Sequence, residues 1–412
     1  MSNDSIRILT FGNDCLIVNL NSLDHITVKR SDLTVDFIKS LLEQNILSDV
    51  PYTERLKPLE ISPIVRPTIV PSFACNYSCS YCYQVDYKGE HSEMTEYDVD
   101  LIYKFCIEFC QQNNSPLIFG DVDIIGGEPL LPRNSNVIRK VLQSWPDSTF
   151  TVTTNGTYIN EYIDMFCGHN IRMKVSLDGT KDIHMRRRQT QQSDAYEHSI
   201  EGVIQLLDHK IPTVIVAVFN PEYISEYSRF FDLLETLGWL TNPLLNCAFI
   251  PEIDCGCEGI TRNSIMRNIN SLFALKKIDA RVNHVDTRKL IPGTVELYDA
   301  LLLAKKGFYK PYRCAALAGY MLTFLPNGDV KPCLAIPDEI GCIGHFRNGI
   351  TIDRKKINML QSRRIDVFEK CKSCSMKAFC GGGCLATVAK KTGTLLGYNC
   401  EFWDDPIFLN YL

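Results

Sequence analysis

The chain has 412 residues, 45% hydrophobic and 22% charged, with a formal net charge of -5. That balance suits a soluble multidomain globular protein with one large core and smaller units beside it. The slight acidity, despite the short run Arg186-Arg187-Arg188, excludes an electrostatic footprint for nucleic acid.

The N-terminus has no basic region ahead of an apolar stretch and no small-residue cleavage site. No segment approaches the roughly 18 uninterrupted apolar residues of a membrane span. A cytoplasmic protein without membrane attachment is therefore expected, and 18 cysteines in a reducing compartment point to ligands rather than disulfides.

In residues 1–66, IRILTF and CLIVNL alternate as half-buried strands. SDLTVDFIKSLLEQN then predicts a helix, with Ser31 as N-cap and an apolar stripe at Leu33, Phe37, Ile38, Leu41 and Leu42. This small strand-strand-helix unit ends in a proline-dotted linker. From 67 to 250, the runs RPTIVPSFA, DVDIIG, TFTVTTNG, MKVSLDG, TVIVAVFN and LLNCAFIP alternate with helical patterns near 95–112, 134–145, 159–168, 194–210 and 221–238. Six such repeats predict an α/β fold, a parallel sheet closing into a partial (β/α)6 TIM-like barrel with its chemistry at the C-terminal strand ends. CNYSCSYCY (75–83), GGEP, TTNG and SLDG all fall there. Residues 251–308 read as a helical connection. Residues 309–412, rich in cysteine, glycine and turns, read as a small ligand-stapled domain lacking apolar residues for its own core.

Cys75, Cys79 and Cys82 are spaced C-x3-C-x2-C. Structural zinc fits poorly, because it takes four protein ligands and favours C-x2-C pairs. A cubane iron–sulfur cluster fits better: three thiolates each hold one iron and leave the fourth iron open. A redox or zinc site completed by a distant cysteine is the alternative.

The stretch resembles the signature of the radical S-adenosylmethionine (SAM) superfamily, with Tyr81 in its aromatic position. The resemblance implies that SAM chelates the open iron of a [4Fe–4S] cluster and yields a 5′-deoxyadenosyl radical. It also implies an external electron donor such as a flavodoxin or ferredoxin. Tyr81 and Tyr83 would lie beside SAM, and Gly126, Gly127, Glu128 and Pro129 would form the turn for its ammonium. Thr154 and Asn155 of TTNG and Ser176 and Asp178 of SLDG resemble the ribose and carboxylate contacts, ordinary strand-end turns being the alternative. Arg188 and His184 match the Arg and His of an H-D-x-x-R element whose Asp is Met185 here. His184 reads as structural.

Cys314, Cys333, Cys371, Cys374, Cys380, Cys384 and Cys400 reproduce the seven-cysteine pattern of the SPASM domain. By resemblance, Cys371, Cys374, Cys380 and Cys400 hold an outer auxiliary [4Fe–4S] cluster, and Cys314, Cys333 and Cys384 an inner one, making three clusters in all. The inner fourth position is open, binds a substrate thiol, or is filled by Cys342 first and the Cys255/Cys257 pair second. A pair of zinc ribbons is the alternative. Cys15, Cys106, Cys110, Cys167 and Cys247 read as buried small hydrophobes.

Relatives with both parts act mostly on peptides. The expectation is a maturase that installs a thioether or carbon–carbon crosslink, such as a cyclophane, in a ribosomally synthesised precursor peptide. The N-terminal unit would serve as a leader-peptide site or a structural cap. A formylglycine-forming sulfatase maturase is disfavoured by Leu334, which follows Cys333 where those enzymes carry a proton-accepting aspartate. An enzyme of peptide-derived cofactor biosynthesis and a non-catalytic multi-cluster electron carrier remain as alternatives.

Overall fold

The computed structural model describes residues 5–400 except 12, 49, 61–63, 88, 118, 253–261, 291–293, 315, 317–319 and 375. The Cys255/Cys257 pair lies outside the described residues. Contacts divide the chain into two units: Met1–Ser62, Ile291–Ala318 and Met359–Leu412 form the first, and Pro63–Leu290 with Gly319–Asn358 form the second.

The second unit is an α/β partial barrel. Its sheet runs Leu245–Pro251, Thr213–Phe219, Asn170–Ser176, Thr149–Thr154, Val122–Ile124, Arg66–Ile69, the reverse of chain order and parallel throughout. All six predicted strands are present. By register Val122, Ile124, Phe150, Val152, Val175 and Ile215 share one face of this sheet and lose their solvent contact, whereas Arg172 and Lys174 on the other face stay exposed. The helix Glu96–Gln112 starts at a capping box in which Thr95 and Asp98 satisfy each other's backbone N–H.

The sheet does not end at Arg66–Ile69. Met321–Phe324 adds parallel to it, and Asp329–Lys331, Gly344–His345 and Thr351–Ile352 follow antiparallel. This corrects the expectation that everything after 309 belongs to a coreless cysteine domain. YMLTFL is a true strand run, and Leu322, Phe324, Leu325 and Val330 are fully buried in the barrel unit.

In the first unit, β1 (Ile6–Phe11) and β2 (Asp14–Asn19) pair antiparallel, and β2 also pairs with a third strand, β3 (His25–Lys29). The third strand was not expected, since only Ile26 and Val28 mark its alternation. The helix Val35–Glu43 follows, capped by Thr34, whose hydroxyl accepts from Phe37 N at 3.1 Å, rather than by Ser31. Leu41 packs on Ile17 and Leu47. The cysteine-rich segment of this unit acquires its apolar core from the N-terminal strands: Leu9, Val18, Leu20 and Tyr52 cluster with Leu297, Ile365, Cys371, Met376 and Cys380.

Candidate active site and cluster loops

The C-terminal strand ends of the barrel surround a cavity of about 640 Å³, within the usual range for a small-molecule site. Cys75, Cys79 and Cys82 line it together with Tyr81, Tyr83, Gly126, Gly127, Thr154, Asn155, Ser176 and Arg188. These predicted residues come from five separate segments of the chain and meet at one place. Thr153, Val216, Val218, Ile250 and Pro251 are also part of the wall. They were missed because they are ordinary strand residues whose importance lies only in where the strands end.

The cysteine loop is anchored on two sides. Tyr77–Cys79 pairs antiparallel with Arg188–Thr190, which sets Arg188 opposite Cys79. Asn76 donates to Gln192 Oε1 at 2.8 Å and accepts from Asn155 Nδ2 at 2.7 Å. The Asn155 side chain also accepts from Thr157 N at 3.0 Å, so it ties the loop to the strand end. Asn76 and Gln192 carried no motif and were not singled out from sequence.

Gly126 and Gly127 serve a close approach, but to the protein's own backbone. A Cβ on Gly127 would stand 2.2 Å from Ala74 O and 2.3 Å from Phe73 O, and one on Gly126 would stand 2.6 Å from Ser72 O. The turn therefore presses against the strand leading into the cysteines, and Gly126, at φ +152°, adopts a conformation that favours glycine.

Glu128 and Pro129 lie outside the cavity wall. Glu128 is fully buried behind it, where its carboxylate accepts from Leu130 N (2.9 Å), Thr154 Oγ1 (2.7 Å) and Asn155 N (2.6 Å). Burial pushes its carboxyl up to about 7, against the pull of those hydrogen bonds.

Asp178 is also buried, and its carboxylate accepts from Arg188 Nε (3.0 Å) and Nη2 (3.2 Å) and from Val218 N (3.0 Å). Burial works against its ionisation, but Arg188 and Arg187 outweigh it and hold the carboxyl below its usual range. The Tyr81 hydroxyl bonds to the same carboxylate. Arg187 sits with its guanidinium carbon 4.5 Å from the Tyr81 ring centroid and donates to Glu252 at 2.7 Å. Asp178 thus supplies the carboxylate partner for Arg188 although Met185 replaces the element's aspartate. His184 is fully buried, and burial with Arg188 depresses it to about 3, so the ring is neutral. Its Nδ1 faces Asp178 N at 3.4 Å.

Cys75 opens into the cavity, yet the surrounding protein mass, with Glu128 next, pushes its thiol up to about 12, and burial raises Cys79 as well. Such thiols ionise readily only beside a cation, which the irons of a cluster provide. Among the described residues no three His, Cys, Asp or Glu side chains converge on a single metal ion. The residues fit the cluster, and the cavity fits a zwitterionic ligand beside Arg188.

Residues 69–234 match the Radical SAM superfamily model. They form a radical SAM domain. The chain is 22% identical over 318 residues to the radical SAM cyclopropyl synthase TigE of Paramaledivibacter caminithermalis, covering 73% of this chain and 61% of that protein. It is 23% identical to a probable GTP 3′,8-cyclase of Saccharolobus solfataricus, over 63% of this chain and 79% of the relative. The radical SAM domain and its flanks share the fold of native anSMEcpe with bound AdoMet (TM-score 0.59, 16% identity, covering 84% of this chain and 96% of that one). They also share the fold of Streptococcus suis SuiB (TM-score 0.51, 14% identity, 96% and 98%).

Outside the radical SAM domain, Cys371, Cys374, Cys380 and Cys400 line one small cleft in the first unit. Burial pushes Cys371 up to about 11, with Cys400 and Cys374 adding to it, and pushes Cys380 up to about 12. Cys314 and Cys384 belong to this unit as well, whereas Cys333 and Cys342 belong to the other. The Cys342 thiol donates to Gly344 O at 3.3 Å. Cys15, Cys106, Cys110 and Cys247 are buried, as expected of small hydrophobes, but Cys167 is exposed because it caps the C-terminal end of the helix Ile159–Phe166.

Proposed function

We propose that the protein is a radical SAM maturase that installs a crosslink in a ribosomally synthesised precursor peptide. The observation that carries this reading is the loop of Cys75, Cys79 and Cys82, set with Arg188 on a cavity of about 640 Å³ at the barrel mouth. When bound, SAM and a [4Fe–4S] cluster supply hydrogen-abstracting chemistry there. The chain's own residues do the holding: three thiolates take the cluster, Arg188 meets the carboxylate of SAM, and Thr154 and Ser176 line its path. Val216, Val218 and Ile250 present an apolar wall that excludes water from the reacting carbon.

A peptide substrate is supported by SuiB, which has been solved bound to its precursor peptide SuiA. Closure of a ring within a side chain or between side chains is supported by TigE, a cyclopropyl synthase. Either a carbon–carbon or a thioether bond satisfies the electron balance, since the peptide loses two hydrogens. One leaves as an atom, and the other leaves as a proton plus an electron that the auxiliary clusters accept. We assign those clusters to Cys371, Cys374, Cys380 and Cys400, and to Cys314, Cys333 and Cys384, whose fourth position is open or taken by Cys342. An external flavodoxin or ferredoxin supplies the priming electron, in a cytoplasmic setting.

Anaerobic co-expression with a short precursor peptide followed by mass spectrometry tests the reading. A loss of two hydrogens is expected, together with 5′-deoxyadenosine that disappears in C75A/C79A/C82A. Retained 5′-deoxyadenosine in that variant sinks the assignment.

A further inference from the structure

Arg363 is 1% exposed, and among the described residues no carboxylate pairs with it. A buried guanidinium with no counter-ion is costly, so its neighbours must supply negative charge. Backbone carbonyls supply part: Nε donates to Gly397 O at 2.9 Å and Nη2 to Gly382 O at 2.7 Å. Nη1 is buried and has no hydrogen-bond partner among the described residues. The ring of Phe368 lies 5.9 Å from the guanidinium carbon.

The surroundings are built around this group. Gly381, Gly382 and Gly383, between Cys380 and Cys384, all adopt positive φ, at +57°, +82° and +83°. A Cβ on Gly382 would come within 3.6 Å of Nη2 and 3.7 Å of Nη1. Gly382 also lines the cleft formed by Cys371, Cys374, Cys380 and Cys400. The thiols of Cys314, Cys380, Cys384 and Cys371 all act electrostatically on the guanidinium. One cation therefore lies among thiols of both auxiliary sets, with a donor left over.

We propose that Arg363 is the fixed counter-charge of the auxiliary clusters, raising their reduction potential and leaving Nη1 for cluster sulfur. The inference rests on the reading that the chain carries auxiliary clusters. A cubane held by four thiolates is a dianion when oxidised, and taking up one electron adds a further negative charge, which a neighbouring cation favours. In the test the electron comes from dithionite; in turnover it comes from the closing peptide.

The experiment is an EPR-monitored potentiometric titration of full-length C75A/C79A/C82A protein, alone and with Arg363→Gln or Arg363→Lys, with iron counted on each. Arg363→Gln is expected to keep its iron and to make reduction of an auxiliary couple about tenfold less favourable, a shift of about 59 mV for one electron. Arg363→Lys, which keeps the charge, is expected to stay at the parent value. Full iron with both couples unmoved in Arg363→Gln overturns the inference while leaving the clusters in place. If Arg363→Gln loses iron, retention of iron and potential in Arg363→Lys upholds the charge, and loss in both overturns it in favour of a role in folding the glycine loop. A parent protein without iron overturns both the inference and the reading beneath it.

Discussion

At the residue scale, the motif residues divide into those that face the cavity and those that brace it. Glu128 braces: it gathers Thr154, Asn155 and Leu130 at one buried carboxylate. Its carboxyl rises from 4.5 to about 7 on folding, so the native state binds the extra proton. That contribution to stability is complete below about pH 4.5 and is lost as pH rises to about 7, an effect on the order of 3 kcal/mol. E128Q should flatten this part of the Tm-against-pH curve, and an unchanged slope would show that another group is responsible. Gly127 braces from the other side. A methyl added there would stand only 2.2 Å from Ala74 O, so G127A must displace the cysteine loop. On the proposed assignment of three clusters, anaerobically reconstituted G127A should then lose about a third of the iron, while the far-UV circular dichroism stays native.

At the scale of elements, an ion pair outside the cavity joins the helix Glu96–Gln112 to the segment between the strands added late in the chain. Arg347 donates to both oxygens of Asp98 at 2.6 and 2.7 Å, and Asp98 is also Thr95's partner in that helix's capping box. Burial opposes the charge on Asp98, but Arg347 and Thr95 overcome it and hold the carboxyl below its usual 3.8. The pair therefore stabilises the fold above about pH 3.8 and fails as pH falls through the depressed value. R347M leaves a nearly buried carboxylate without its partner and should cost about 2 kcal/mol in urea unfolding at pH 7, less than a fully buried pair because Arg347 is partly exposed.

The six strand-helix repeats were legible because apolar period and turn residues are local signals. The third N-terminal strand and Met321–Phe324 were not read, one for having only two apolar markers and the other for standing in a segment dominated by cysteines. Asn76 and Gln192 are 116 residues apart, and nothing near either residue announces the other. Arg187 was hidden in a run of three arginines, although only the fold shows that it stacks on Tyr81 and reaches Glu252. The cysteines were legible for the opposite reason, since their spacing is itself the constraint.

At the scale of the molecule, Cys75, Cys79 and Cys82 belong to one unit, and Cys371, Cys374, Cys380 and Cys400, proposed above as the outer auxiliary set, belong to the other. On the proposed assignment of three clusters, C75A/C79A/C82A should keep about two thirds of its iron, and iron falling to zero would mean that the sites load together. The late strand Met321–Phe324 bears on how the chain is made. It pairs with Arg66–Ile69, and Phe324 O accepts from Val70 N at the start of the cysteine loop. A chain leaving the ribosome thus carries the first barrel strand with one edge unpaired until Met321–Phe324 has emerged. Until then that edge is open to other strands, and folding of the barrel must wait for this long-range contact. Iron delivered to a nascent chain meets three cysteines on an unfinished wall, so cluster insertion belongs after that strand has paired, and slow translation of the stretch before it would favour aggregates over enzyme.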